Sequence, residues 1–385
     1  MSKGRVLVAM SGGVDSTVAA IMLHEQGYEV IGMTMKTWDY ATAGGSKKET
    51  GCCSLDSIND ARQVAVDMGF PHYIVDIREE FGDAVIDDFV SEYIAGRTPN
   101  PCVLCNTHIK WDALLRRADA MGCEYIATGH YAQIRQENGR YVISRGLDQG
   151  KDQSYVLWGL SQEVMARTMF PLGGFHKAEI KDMVLKMGYP DLAKKSESYE
   201  ICFIPDNDYR GFLKRRVDGL EEQVADGLFV NSKGEVIGKH DGYPFFTVGQ
   251  RKGLGQAFGE PMYVTEIRPE SNTIVLGPVE ELGRTDFWVT NLNMQKYADV
   301  QEGLPADTRI RYKHDGAPSF LFPEYPADNY DETNAAVSRV PDRMRVRFHA
   351  PVDAIAPGQS AVFYEGDDVI GGGHIESVFP VDPAH

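Results

Sequence analysis

The sequence has 385 residues, which is long for one hydrophobic core and favours two or three domains. Hydrophobic residues make up 43% and charged residues 25%, as in folded globular proteins, so the composition argues against disorder. The formal net charge of −17 argues against indiscriminate nucleic-acid binding but leaves room for a local basic surface. No run approaches the ~20 apolar residues of a membrane helix, and no secretory segment follows the start. We therefore expect a cytoplasmic protein whose six cysteines are reduced and used chemically.

The first half of the chain alternates predicted strands and helices. An apolar run over 5–10 predicts a buried strand, and a glycine loop follows it. The further predicted elements are a helix at 17–26, a strand at 30–35, a helix at 55–68, a strand at 72–77, helices at 79–95 and 110–121, and a strand at 124–128. This alternation is typical of βαβ units, so we predict an α/β domain with a parallel sheet. Ligands of such sheets bind at the carboxyl ends of the strands.

The second half changes in character near residue 205. A short basic helix is predicted at 208–216, and a glycine-rich stretch with short strands at 228–255. The closely spaced runs MYVTEIR, NTIVLG, FWVTNLNM, TRIRY, MRVRFH and SAVFY then predict a small all-β barrel or sandwich. Residues 315–342, rich in proline and acidic residues, are expected to form a long surface loop. We predict three domains: 1–205, a small central domain at 206–280, and a β-barrel at 281–385.

The hexapeptide SGGVDS, residues 11–16, lies between the first strand and the first helix. Backbone N–H groups and a helix N-terminus then face one point and form an anion site suited to phosphate. A tight capped turn is the simpler alternative. The loop is not a Walker A motif, because no Gly-Lys-Ser/Thr follows, and it lacks GxGxxG spacing. It resembles the PP-loop of ATP pyrophosphatases. Asp15 carries a carboxylate suited to the Mg²⁺ that accompanies ATP.

The cysteines form a second group of candidates. Cys102 and Cys105 form a CxxC just before a predicted helix, whose dipole would lower the pKa of a nearby thiol. CxxC alone fits a redox pair, half a zinc site or part of an iron–sulfur site. Cys202 lies far along the chain, and Cys123 fits a buried core position. Four-ligand zinc would require Cys52 or Cys53 to join the CxxC, and no second CxxC supports this.

Seven motifs occur in one order along almost the whole chain. They are SGGVDS, GRTPNPCVLCN, ATGHYA, KDQSY, EICFI, TVGQRKGL and PGQSAVFY. Together they resemble the tRNA-specific 2-thiouridylase family (MnmA), which places sulfur at C2 of the wobble uridine. The resemblance implies an adenine nucleotide alpha hydrolase-like PP-loop domain, a central domain and a C-terminal β-barrel. It also implies ATP and Mg²⁺ as cofactors, and tRNA and a sulfur donor, a cysteine desulfurase or relay protein, as partners, with neither DNA nor membrane.

The resemblance also assigns residues. Cys105 matches the nucleophile and Cys202 the cysteine that carries a persulfide, and a disulfide between them would follow sulfur transfer. ATP would be bound by Ala9, Met10, Ser11, Gly12, Gly13, Val14, Asp15, Ser16, Met35 and Gly129. Asn100, Pro101 and Cys102 would contact the target base. The tRNA would also touch His130, Lys151, Asp152, Gln153, Arg311, Tyr312 and Gln359.

The chemistry is consistent with these assignments. A uridine C2 oxygen leaves poorly, so adenylation by ATP would activate it, and a persulfide would supply a soft nucleophile. The two cysteines must then meet, so we expect the segment that carries Cys202 to be mobile until tRNA binds. A basic surface for phosphates is expected at Lys214, Arg215, Arg216, Arg251 and Lys252.

Three alternatives remain at this stage. The chain could be another PP-loop adenylating enzyme, such as an amide-forming or argininosuccinate-type synthetase, although Cys105 and Cys202 would then lack a task. It could be a non-catalytic redox or iron–sulfur protein. Some members carry Asp at the position of Cys102, so Cys102, Cys105 and Cys202 could instead bind an iron–sulfur cluster that supplies sulfide in the same thiolation.

Overall fold

The structure, a computed structural model, describes residues 2–38, 54–195, 201–326 and 340–379. Its strands are β1 (Arg5–Ala9), β2 (Glu29–Lys36), β3 (His72–Asp76), β4 (Tyr125–Ala127), β5 (Ala132–Glu137), β6 (Arg140–Arg145), β7 (Thr168–Met169), β8 (Gly227–Val230), β9 (Val236–His240), β10 (Tyr263–Arg268), β11 (Thr273–Gly277), β12 (Gly283–Met294), β13 (Leu304–Arg309), β14 (Ala317–Glu324), β15 (Arg343–Asp353), β16 (Ser360–Glu365) and β17 (Asp368–Val378).

Its α-helices are α1 (Val14–Glu25), α2 (Leu55–Met68), α3 (Arg78–Phe81), α4 (Asp87–Ile94), α5 (Pro101–Leu104), α6 (Asp112–Ala120), α7 (Gln162–Ala166), α8 (Lys177–Lys186), α9 (Pro190–Ala193), α10 (Tyr209–Arg216) and α11 (Leu220–Gln223). Two π-helical segments lie at Gly82–Ile86 and Cys105–Trp111. Within the described ranges, no helix is long and apolar enough to cross a membrane.

The chain divides into two compact units. The first comprises Met1–Ile86, Pro101–Asp208 and Asp367–Val369, and the second comprises Asp87–Asn100, Tyr209–Gly366 and Ile370–His385.

The first unit is built on a parallel five-stranded sheet in the order β3-β2-β1-β4-β7. The chain runs outward from β1 through β2 to β3 and then returns to place β4 on the other side of β1. The carboxyl ends of β1 and β4 therefore meet at a topological switch point, where open α/β sheets bind ligands. The predicted α/β fold is confirmed, and the glycine loop follows β1 at this point.

The sheet is covered by helices that share one core. Val6 and Val8 of β1 are fully buried, and they pack in one cluster with Val18 of α1, Val64 of α2 and Ile180 of α8. Continuous apolar runs such as β1 are typical of parallel strands with both faces covered. Burial of each such side chain contributes about 1.5–3 kcal/mol. This core fixes the ends of β1 and α1, and with them the loop that joins the two elements.

The second unit contains two β structures. The strands β10-β11-β8-β9 form a four-stranded sheet, and β12-β15-β14-β13-β16-β17 form an antiparallel barrel that the β12–β17 pairing closes. Phe287, Leu321, Val346 and Phe363 belong to the core of the barrel. The predicted central domain and C-terminal β-barrel are therefore confirmed as folds.

Three predictions of local structure differ from the structure. The single helix expected at 79–95 is interrupted by the π-helical segment Gly82–Ile86, and the CxxC lies within helical turns rather than before a helix. The loop expected at 315–342 contains the strand Ala317–Glu324, which pairs with β13 and β15. Leu321 is fully buried there, so the alternating SFLF pattern outweighs the prolines on either side. Residues 327–339 lie outside the described residues.

Candidate active site

The glycine loop is fixed by backbone contacts. Gly12 has φ +70°, in the left-handed region, and a Cβ built on it would lie 1.9 Å from the carbonyl oxygen of Ser57 in α2. Gly13 is extended and forms the N-cap of α1. The Ser16 hydroxyl accepts the Ser11 N–H at 3.0 Å and donates to the Gly13 carbonyl at 3.2 Å. The loop is therefore closed on itself at the N-terminus of α1, where the helix dipole favours an anion.

The residues expected to bind the nucleotide gather around this loop. Ala9 ends β1 in register with Met33, so Met35 lies further along β2, level with the loop. A Cβ on Gly129 would lie 2.8 Å from the backbone of Asp15 and Ser16, so Gly129 lies directly against the start of α1. The geometry thus brings together the glycine loop, Met35 and Gly129 at the switch point.

Asp15 is held by two partners, Tyr131 of the ATGHYA motif and Lys177, which lies in none of the seven motifs. Its carboxylate accepts hydrogen bonds from the Tyr131 hydroxyl at 2.7 Å and from the Lys177 ammonium at 2.7 and 2.8 Å. Lys177 is buried, and an ion pair of this kind is costly to break from one side. Both carboxylate oxygens of Asp15 are thus already occupied. The described residues also contain no group of three His, Cys, Asp or Glu side chains arranged to hold a metal. Asp15 is thus engaged by protein donors, and coordination of Mg²⁺ by its carboxylate stays a prediction.

His130 follows Gly129 and lies in an apolar environment. Its Nδ1 lies 2.8 Å from the Thr128 hydroxyl, and its ring is 5.5 Å from the Trp111 ring. Burial, and then the nearby Lys110 ammonium, lower the pKa of His130 to about 3. The ring is therefore neutral near pH 7, which suits it to stacking and hydrogen bonding rather than to attraction of a phosphate.

The low pKa of His130 predicts a specific acid sensitivity. Its ordinary value is 6.5, so the unfolded chain binds a proton that the folded chain excludes as the pH falls from 6.5 towards 3. Stability should therefore decrease over this window, by less than ~1.4 kcal/mol per pH unit because the ring is partly exposed. The free energy of unfolding of His130→Gln should fall less steeply with decreasing pH than that of wild type. His349→Gln should have the wild-type slope, because the side chain of His349 is exposed. Equal pH slopes of urea-unfolding free energy for wild type and His130→Gln would contradict this.

The two thiols of the CxxC have different environments. Cys105 is buried at the start of the π-helical segment, whereas Cys102 is exposed as a residue in α5. Partial desolvation by the surrounding protein nevertheless raises the pKa of the Cys102 thiol, and the Lys110 ammonium opposes this shift. The expected lowering of the pKa by a helix N-terminus is therefore wrong for Cys102.

The segment after Cys202 is anchored in the first unit. Phe203 and Ile204 are each 2% exposed, and the Phe203 ring packs edge-on against Phe81 of α3 with centroids 5.8 Å apart. The residues directly after Cys202 are thus packed in the core, and mobility of the segment that carries Cys202 before tRNA binds stays a prediction. Residues 196–200 lie outside the described residues.

One structural element supports both candidate cysteines. The α3 helix and the π-helical Gly82–Ile86 that follows it pack against Cys105–Trp111, and Phe81 of α3 holds Phe203. Asn106 and Trp111 fix the same segment by donating to the Val156 carbonyl at 3.0 Å and the Thr168 hydroxyl at 2.9 Å. Cys105 and Cys202 thus belong to segments that both pack against α3.

The cysteines show neither a bridge nor a cluster in the part of the chain described. Among the described residues, Cys102, Cys105, Cys123 and Cys202 form no disulfide, and none belongs to a metal-binding group of three side chains. The three-cysteine iron–sulfur arrangement does not fit this geometry. Cys123 is buried, as predicted for a core residue. Cys52 and Cys53 lie outside the described residues.

Side chains of the KDQSY motif form hydrogen bonds within the protein. The Asp152 carboxylate, 5% exposed, accepts from the backbone of Gly146 and Ser154 and from the Ser154 hydroxyl. The Gln153 side chain accepts the Tyr131 N–H at 3.0 Å. Lys151 begins this turn, and its N–H donates to the Asp148 carbonyl. Asp152 and Gln153 therefore position the turn and Tyr131, which holds Asp15.

Four predicted site residues belong to the second unit: Asn100, Arg311, Tyr312 and Gln359. The Gln359 amide donates to the carbonyls of Thr98 and Pro99, both at 3.0 Å, and so holds the turn that leads to Asn100. Arg311 donates to the Asp353 carbonyl at 3.2 Å, and Tyr312 is 44% exposed. Gln359 therefore has a positioning contact that the sequence did not predict.

The expected basic surface is only partly available. Lys214 pairs with Glu221 at 2.6 Å and Arg216 with Asp87 at 2.9 Å, so these two charges are locally balanced. Arg251 and Lys252 are exposed in the glycine-rich stretch. Arg215 follows Lys214 in the last turn of α10. We therefore place the stronger basic surface at Arg251 and Lys252.

The comparisons with known proteins agree with this architecture. Residues 4–206 match the family model described as tRNA methyl transferase HUP domain, residues 210–278 the tRNA methyl transferase PRC-barrel domain, and residues 328–375 the aminomethyltransferase beta-barrel domain. These matches define a HUP-domain protein followed by two β modules.

Similar proteins extend over the whole chain. It is 65% identical to the tRNA-specific 2-thiouridylase MnmA of Cytophaga hutchinsonii, over 99% of both chains. It is 64% identical to that of Amoebophilus asiaticus, over 98% of this chain and 97% of the relative, and 58% identical to that of Salinibacter ruber, over 98% and 95%. The chain belongs to the tRNA-specific 2-thiouridylase family.

Proposed function

We propose that the protein is an ATP-dependent tRNA-uridine 2-sulfurtransferase acting on the wobble uridine. Family membership over the whole chain carries the proposal. It is supported by the glycine loop at the sheet's switch point and by the common support of the segments that bear Cys105 and Cys202. A cytoplasmic location, and tRNA and a cysteine desulfurase or relay protein as partners, are parts of the same proposal.

Adenylation comes first in the proposed reaction. The uridine C2 oxygen attacks the α-phosphate of ATP, an O–P bond forms, and pyrophosphate leaves. The glycine loop, with the N-terminus of α1, holds the departing phosphates. Met35 and Gly129 would contact the adenosine. Asp15 contributes by fixing Lys177 and Tyr131 beside the loop, and we derive no step through a metal ion.

Sulfur transfer follows in two displacements. The terminal sulfur of a Cys202 persulfide attacks C2 and expels AMP, which leaves the base joined to Cys202 through a disulfide. The Cys105 thiolate then attacks the Cys202 sulfur, so the C2–sulfur group departs as 2-thiouridine and a Cys105–Cys202 disulfide forms. A dithiol reductant supplies the two electrons that reset the pair. Cys102, with Asn100 and Pro101, lines the base pocket in this proposal.

The three-domain division at 1–205, 206–280 and 281–385 belongs to the same proposal. The first domain would perform the chemistry, and all three domains would contact tRNA. Contacts to tRNA are assigned to His130, to the turn at Lys151, Asp152 and Gln153, and to Arg311, Tyr312 and Gln359. Because Asp152 is buried and Gln153 holds Tyr131, these two would act on tRNA through the position of the turn.

The direct test is reconstitution. Purified protein is incubated with ATP, cysteine, a cysteine desulfurase and an unmodified tRNA transcript, and the digested nucleosides are analysed by mass. We expect 2-thiouridine at the wobble position and equal amounts of AMP and pyrophosphate that depend on the transcript. ATP cleavage stimulated by an amino acid without tRNA would instead indicate another adenylating synthetase.

Binding of tRNA should weaken as salt increases, because cations that contact phosphates release counterions. The double variant Arg251→Ala/Lys252→Ala should reduce the slope of log K against log salt by about 2. Lys214→Ala should change it much less, because Lys214 is paired with Glu221. The slopes can be measured by filter binding between low and physiological salt. A wild-type affinity independent of salt would refute a basic docking surface.

A further inference from the structure

The loop that precedes β16 is joined to the turn that precedes α5. The Thr98 N–H donates to the Pro357 carbonyl at 2.8 Å. The side-chain nitrogen of Gln359 donates to the carbonyls of Thr98 and Pro99, both at 3.0 Å. All four residues belong to the second unit. Three hydrogen bonds therefore join a loop of the barrel to the turn that leads to Asn100.

Close packing fixes the same loop. Gly358 has φ +89°, and a Cβ built on it would lie 2.9 Å from the Thr98 nitrogen and 3.0 Å from the Arg97 Cβ. Any other residue there must therefore displace the loop or the turn. Ile375 of β17 accepts the Gly358 N–H and donates its own to the Gln359 carbonyl, both at 2.8 Å. The loop is thus fixed to a strand of the barrel and packed against the turn.

The turn leaves one backbone torsion open. In residues 98–101, Thr-Pro-Asn-Pro, the proline rings fix φ at Pro99 and Pro101. Thr98 and Asn100 each precede a proline and are confined to extended conformations. Neither ring fixes ψ of Pro99, which sets the direction of the Pro99 carbonyl and the position of Asn100. The hydrogen bond from Gln359 to that carbonyl supplies this restraint.

The chemistry of the Gln359 amide agrees with a positioning role. Its partners are carbonyl oxygens, which only accept, so the amide nitrogen must face them. An amide nitrogen has two N–H donors, and the Thr98 and Pro99 carbonyls use both. The remaining Oε1 accepts hydrogen bonds, and an ionised phosphate has none to donate. The tRNA contact assigned to Gln359 would then go to an N–H or a 2′-hydroxyl group and not to a phosphate.

We propose that Gln359 is a positioning residue for the target base, which fixes ψ of Pro99 and thereby places Asn100 and the start of α5. The inference rests on the proposed function, which assigns Asn100, Pro101 and Cys102 to the base pocket. The barrel then takes part in thiolation itself, because small displacements of positioning groups slow a reaction. A tRNA-binding role alone is the competing one, and it predicts weaker tRNA binding with an unchanged rate at saturating tRNA.

The test compares Gln359→Met with wild type, because methionine is similar in length and lacks both donors. The single-turnover rate of 2-thiouridine formation at saturating tRNA should fall by about tenfold or more. The dissociation constant of tRNA, from filter binding, should stay within about threefold of wild type. Gln301→Met is the matched control, because Gln301 is an exposed glutamine of the same unit. It should match wild type in both measurements.

Gly358→Ala reaches the turn by another route. The new Cβ would press on the Thr98 backbone, so the rate should fall as in Gln359→Met with little change in tRNA affinity. Gly366→Ala should keep the wild-type rate, because Gly366 has φ +59° and no atom within 4 Å of a Cβ built there. In Gln359→Met, a loss of tRNA affinity alone, equal losses of rate and affinity, or no change in either would overturn the inference.

Alkylation of Cys102 by iodoacetamide, followed by mass spectrometry, reports the turn without tRNA or ATP. Cys102 is exposed and lies two residues after Asn100. Its alkylation rate should change by about threefold or more in Gln359→Met and not in Gln301→Met. Equal rates in Gln359→Met and wild type would overturn the inference. If wild type formed no 2-thiouridine, the proposed function would fail, and this reaction would still test the position of the turn.

Discussion

Cys202→Ser should reduce tRNA thiolation by at least ~10³-fold, because a hydroxyl oxygen cannot carry a transferable persulfide sulfur. ATP affinity should remain within about twofold of wild type, because the described anchor of this segment is the Phe203–Phe81 contact and not the glycine loop. The readouts are 2-thiouridine by nucleoside mass analysis and ATP binding by calorimetry.

Cys123→Ala is the control for loss of a thiol as such. Cys123 is buried in the first unit and has no role in the proposed reaction, so this variant should thiolate tRNA at close to the wild-type rate. Substantial thiolation by Cys202→Ser would show that sulfur reaches the base by another path. A parallel loss of ATP affinity would show that the nucleotide and thiol sites are not separate.

Gly12→Ala should abolish ATP binding and destabilise the first unit. The positive φ costs about 1–2 kcal/mol for a residue with a Cβ, and overpacking typically adds about 1–3 kcal/mol. The second cost applies here because the new Cβ would lie 1.9 Å from the Ser57 carbonyl, and the backbone of α2 or of the loop must move. Thermal unfolding and calorimetric titration with ATP measure the two effects.

Gly69→Ala isolates the backbone contribution. Gly69 also has a positive φ, +76°, but no atom lies within 4 Å of a Cβ built there. We expect it to lower stability by about 1–2 kcal/mol, the cost of the conformation alone, and to leave ATP binding intact. If Gly12→Ala were no more destabilising than Gly69→Ala, the contact between the loop and α2 would not constrain the site.

The sequence predicts those parts of the fold that local patterns determine. The helix Leu55–Met68 is found with the predicted bounds, because Ser54 caps its start and Gly69 adopts the left-handed conformation at its end. The strand Arg5–Ala9 follows from a continuous apolar run. The strand Ala317–Glu324 was missed because proline and acidic residues dominate its surroundings, whereas its pairing with β13 and β15 is a tertiary effect.

The site shows the same limit. The glycine loop and the cysteines are visible as motifs, but Lys177 reaches Asp15 from 162 residues away and Lys195 reaches Gly12 from 183 residues away. A single lysine carries no signal of such a contact in one sequence. The burial of Asp152 and the contact of Gln359 with Thr98 and Pro99 are likewise set by packing, so motif positions alone could not distinguish a ligand contact from a positioning role.

The π-helical segment Cys105–Trp111 has one further consequence. A π turn accommodates an additional residue compared with an α turn, and each residue of an α-helix advances by about 100°. Trp111 is fixed at one end by its bond to Thr168, so shortening the segment by one residue would rewind it and swing Cys105 around the helix axis. The π turn thus sets the direction in which the Cys105 thiol points. A one-residue deletion would change that direction and leave the thiol itself unaltered.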